Sequence, residues 1–72
     1  MDNHQRAQSA LKAIQTFSAE TGLEDEELDI PMTDLLCNLQ HLAEAQGVDF
    51  QMCLDRANRH YANEIESECD KW

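Results

Sequence analysis

DLLCNLQHLAEAQGVDFQMCLDRANRHY, residues Asp34–Tyr61, reads as two helices joined at a glycine. With successive side chains about 100° apart around a helix, Met32, Leu35, Leu36, Leu39, Leu42 and Ala43 share one sector of roughly 120°. Gly47 fits the left-handed position just past the end of that helix. Asp49 can then cap a third helix, with Val48 stapling against Cys53 one turn on. Phe50, Cys53, Leu54, Ala57, Tyr61 and Ile65 form its apolar stripe. The Gly47-Val48-Asp49 link is short, so the two helices must run antiparallel as a hairpin.

Working outward, Ala7, Ala10, Leu11, Ile14 and Phe17 also fall within a sector of roughly 120°, which predicts a first helix. Asp2 or Asn3 supplies its cap, and Gly22 its left-handed exit. The expected elements are helices over about residues 4–20, 31–46 and 50–66, an acidic connector over about 21–30, and a frayed tail over about 67–72. Pro31 suits a first helical turn, where its missing N–H costs nothing. The expected fold is all-α: a single three-helix domain with the first helix packed across the hairpin, its three stripes turned inward. A core this small leaves about 3–5 kcal/mol of stability, which favours a homodimer.

The chain has 72 residues and a formal net charge of −10, unevenly placed. Residues 1–17 carry +1, residues 18–34 carry −7 and the remainder −4. Such a chain repels phosphate backbones, which argues against direct nucleic-acid or anionic-membrane binding. Neither a signal-type apolar stretch nor a long apolar span stands out. Cys37, Cys53 and Cys69 make no even framework, so reduced thiols and a cytoplasmic setting are expected.

Within the hairpin, Asp34-Leu35-Leu36, Leu39, Leu42-Ala43, Gly47-Val48-Asp49, and Leu54 followed by Arg56-Ala57-Asn58-Arg59 and Tyr61 carry a family likeness. On these residues the chain resembles the C-terminal part of the MazG-like all-α nucleotide pyrophosphohydrolases, over 28 of 72 positions. That family splits nucleoside triphosphates into monophosphate and pyrophosphate with magnesium held by a Glu-Glu-x-x-Glu helix and a Glu-x-x-Asp helix. Many carboxylates are needed because the cations bridge the phosphates and activate water. The resemblance places Asp34 at the Asp of Glu-x-x-Asp and Asn58 at an Asn near the nucleotide. It also places Pro31 where the motif has Glu, and helix one offers Gln8, Lys12 and Gln15 where an acidic partner helix is needed.

Two function classes fit these residues. One is a non-enzymatic interaction or accessory module that keeps the hairpin as scaffold and binds a protein partner, with Asp34, Cys37, His41 and Asn58 as the candidate face. The other is a Mg²⁺-dependent nucleoside triphosphate pyrophosphohydrolase working as an oligomer, with Asp34 and the connector's Glu27 as metal ligands. Asp34, Cys37 and His41 also have the i, i+3, i+7 spacing of a partial zinc set, opposite the leucine stripe, but lack a paired motif. Cys53 reads as a small core residue, His60 as a rim residue bonded to a carbonyl or carboxylate, and Arg56 and Arg59 as outward cations able to pair with Asp55 or the connector.

Overall fold

The computed structural model describes residues 1–69, with side chains through Ser67. Three helices make up the fold: α1 (Asn3–Thr21), α2 (Asp29–Gln46) and α3 (Phe50–Cys69). α2 turns into α3 at Gly47, and α1 touches both of the other helices. This is the small all-α three-helix domain expected from the stripes.

Local chemistry accounts for each boundary. Asp2 caps α1 through a reciprocal box: the Gln5 backbone N–H donates to Asp2 Oδ1 at 2.8 Å, and the Asp2 N–H donates to Gln5 Oε1 at 2.9 Å. Two donors that have no partner inside the helix are thereby satisfied. Gly22, at φ 74°, ends α1, and Leu23 N–H donates back to the Ser18 carbonyl at 3.0 Å. Gly47, at φ 70°, ends α2, and Val48 N–H donates to the Ala43 carbonyl at 2.8 Å. Both corners thus show the six-to-one closing bond of a Schellman turn. Asp49 caps α3 as expected, its Oδ1 accepting from Met52 N–H at 3.0 Å.

Two boundaries fall elsewhere than the sequence pattern places them. α2 begins at Asp29, so Pro31 is its third residue. None of the first-turn N–H groups has an acceptor within the helix, and a proline is tolerated at any of those positions. α3 continues through Cys69, beyond the last residue of its apolar stripe. Trp72 and the end of the expected tail lie outside the described residues.

The stripes are not turned inward as expected. Ile14 and Ala43 are the buried apolar side chains among the described residues, joined by Pro31 and Ser18. Leu11, Phe17, Leu23, Leu35 and Phe50 are half-buried. Leu36 (47 % exposed), Leu42 (56 %) and Val48 (50 %) stand largely in water, and no large side chain among the described residues is fully enclosed. Three helices with one short link and few crossing contacts cannot wrap around one another's flanks, so each stripe is covered along one edge only.

Size measures agree with this. The radius of gyration is 14.3 Å over a body of 39 × 31 × 17 Å, whereas a compact domain of this length has about 11 Å. The accessible surface is 5957 Å², against roughly 4,600 Å² for a compact monomer of this mass. About 1,400 Å² more surface than usual is therefore wet.

Candidate functional site

The three junctions between helices each carry a concavity. Where α1 runs into the connector and α2, a hollow of about 310 Å³ is lined by Leu11, Ile14, Ser18, Leu23, Leu28 and Pro31, with Glu24 and Glu26 at its rim. Here the chain folds back on itself: Glu26 N–H donates to the Leu23 carbonyl at 3.2 Å and Ile30 N–H to the Glu27 carbonyl at 3.0 Å. These turns leave Leu23 half-buried beside α1, while Leu28 and Ile30, expected to tuck onto the core, stay exposed with the connector's carboxylates.

Where α1 meets the second half of α3, a groove of about 620 Å³ runs between Ala7 and Ala10 on one wall and Ala57, Tyr61 and Ile65 on the other. Polar contacts close one side of it. Arg6 Nε lies 3.1 Å from Glu64 Oε1, and Asn3 Nδ2 donates to the Glu64 carbonyl at 3.2 Å. Arg6 also donates to Asn3 Oδ1 at 2.8 Å, so three residues make one small network. Both ionic side chains are partly wet, and the pair contributes only about 0.2–1 kcal/mol. No sequence motif marks this pairing, because its partners are 58 positions apart.

At the Gly47 corner the third concavity is of another kind. A hollow of about 350 Å³ is lined by Leu39, Leu42, Ala43, Val48, Phe50 and Cys53, and Gln46 is its single polar neighbour among the described residues. Val48 and Cys53, the expected staple, share this hollow but do not seal it. Cys53 is exposed, which corrects the reading of it as a core residue. The stripe position alone implied burial, but none of the described residues lies over that part of α3.

The residues singled out from the sequence lie apart from these concavities. Asp34, Cys37 and His41 are exposed on the side of α2 opposite its leucines, and Asn58 is exposed on α3. None of the four side chains forms a hydrogen bond or ion pair among the described residues. Glu27 is an exposed connector residue, and Pro31 is buried against α1. Among the described residues no group of three or more His, Cys, Asp and Glu side chains is placed to hold a metal ion. His60 lines the α1–α3 groove. Asp55 accepts from Gln51 Nε2 at 3.0 Å, and among the described residues neither Arg56 nor Arg59 is ion-paired.

Sequence reasoning missed Ser18, which is buried at 6 % exposure. A signal for it exists: on the α1 wheel it falls between Ile14 and Leu11, inside the apolar sector. A small residue there lets Pro31 and the connector approach. The open leucine corner was missed too, because an apolar stripe by itself does not say which residues another helix covers.

No protein-family model, curated protein or solved structure matches this chain. Among the described residues no helix is long and apolar enough to cross a membrane.

Proposed function

We propose that this chain is a non-enzymatic protein-interaction module and that the hollow at the Gly47 corner is its docking surface. One observation carries the reading: Leu39, Leu42, Val48 and Phe50 line an open concavity with almost no polar group in it. Apolar concavities of this kind, on a chain whose surface exceeds that of a compact monomer, are covered by protein partners. The partner this surface suits presents an apolar helical face, because a groove between two helices accepts side chains at helical spacing. The exposed face of Asp34, Cys37 and His41 is then the solvated outer side of the module.

Photo-crosslinking in cells that make the chain tests this. A photoreactive amino acid replaces Leu42, or, as control, Gln8 on the exposed side of α1. Adducts to protein are expected from position 42 and not from position 8. Equal yields at the two positions, or no protein adduct from either, would remove the docking surface.

A further inference from the structure

We infer that the hollow where α1 runs into the connector binds a compact organic amine: a protonated amino group on an apolar body whose far end carries a hydrogen-bonding atom. This site is separate from the Gly47 corner and does not depend on what docks there.

Ser18 is the first observation. It is only 6 % exposed and lies on the wall of the hollow. Its carbonyl is in use, accepting from Leu23 N–H at 3.0 Å. Its hydroxyl forms no hydrogen bond among the described residues, whereas Thr16, Thr21 and Thr33 each donate theirs to the carbonyl four positions back. No side-chain oxygen or nitrogen among the described residues is both sealed from solvent and without a partner. The Ser18 hydroxyl therefore opens into the hollow that the residue lines. Covering an unpartnered hydroxyl is unfavourable, so a molecule that displaces water there must bring a donor or acceptor of its own.

The lining and the mouth supply the other two requirements. Leu11, Ile14, Leu23 and Pro31 make the lining largely apolar. A volume of about 310 Å³ is at the small end of ligand sites. Glu24 and Glu26 stand at the mouth, exposed, and neither is ion-paired among the described residues. They belong to the stretch 18–34, which carries −7, so the potential at the mouth favours a cation. A charged amino group can stay at this wet rim, where it keeps its hydration, while its apolar body covers the leucines, isoleucine and proline. The α1–α3 groove lacks this set, because Arg6 and Glu64 already neutralise each other there.

Three related probes, titrated into the isotope-labelled full chain while its amide shifts are followed, test the site. Tyramine carries both an amine and a phenolic hydroxyl. Phenethylamine lacks the hydroxyl, and the phenolic propionate replaces the amine arm by a carboxylate. Tyramine should shift the amides of Leu11, Ser18 and Leu23 saturably. Phenethylamine should bind about fivefold more weakly, the size of one net hydrogen bond. The propionate should give no saturable shift.

Two variants assign these differences to side chains. In Ser18→Ala the two amines should bind equally, and the chain should be at least as stable to urea, because the hydroxyl removed had no partner. In the double variant Glu24→Gln with Glu26→Gln, the preference for amine over carboxylate should vanish. Diffuse, non-saturating shifts along every acidic segment overturn the inference, as do equal affinities of the unaltered chain for any two of the probes. A Ser18→Ala chain that still prefers tyramine overturns it, and so does one that loses stability or fails to fold, since the hydroxyl would then serve the fold. Preference for the amine retained in the glutamine variant overturns the role of the two carboxylates and the inference with it.

Discussion

The Gly22 and Gly47 corners are built alike and finish differently. Each has a glycine at positive φ, a closing hydrogen bond from the residue after it, and an aliphatic side chain at that residue. At the first corner that side chain, Leu23, is half-buried, while at the second, Val48 is exposed. The difference lies in how much chain separates each corner from the next helix. After Leu23 the connector turns back, and Pro31 closes over Ile14 and Ser18. After Val48 comes only Asp49 before α3 begins, and no connector is left to return over the leucines. The same backbone motif thus makes a closed corner or an open one according to the length of the connection behind it.

Ile14→Ala should have the largest effect on this comparison. Removing a buried aliphatic side chain beside the closed corner costs about 2–5 kcal/mol, comparable with the whole stability of a domain this small. The chain should lose its cooperative thermal transition in circular dichroism. Leu42→Ala, at the open corner, should cost less than about 1 kcal/mol in dilute solution, since the side chain is half in water already. Equal losses for the two would mean that the corners are not different in kind.

Gly22→Ala and Gly47→Ala come next. A side chain added at either glycine meets nothing within 4 Å, so only the left-handed backbone is penalised, by about 1–2 kcal/mol. In dilute solution urea midpoints should fall by similar amounts for the two variants. At high concentration an extra loss confined to Gly47→Ala would show that corner covered by another molecule.

Asp49→Ala removes the cap of α3 and should cost about 1 kcal/mol, with amide exchange accelerating first at Met52 and its neighbours. Arg6→Gln should be the mildest, at about 0.2–1 kcal/mol. Its effect should shrink as salt is added, because the Arg6–Glu64 pair is partly exposed. A larger, salt-insensitive loss would show that the α1–α3 groove matters more to the fold than its wetness indicates.

Much of the architecture was legible in advance because its determinants are short-range. Asp2 with Gln5, Gly22 with Leu23, Gly47 with Val48 and Asp49 with Met52 are each complete within a few residues. The start of α2 was misplaced by two residues because proline restricts a helix's first turn without marking a single position in it. The candidate face of Asp34, Cys37, His41 and Asn58 was chosen by residue chemistry. The structure keeps those residues exposed, and a separate concavity lies on the apolar side at the Gly47 corner. Ser18 and Cys53 went the other way, a polar residue buried and a stripe residue left in water.

Helix number and the helix ends marked by Asp2, Gly22, Gly47 and Asp49 were settled by the sequence alone, since they depend on backbone hydrogen bonds and torsions that neighbouring residues control. Which apolar residues are covered, and that Arg6 finds Glu64 across most of the length of the chain, was decided only by the tertiary structure. Coverage depends on how three helices cross and how far each connection reaches. An apolar stripe records the need for cover without saying what supplies it.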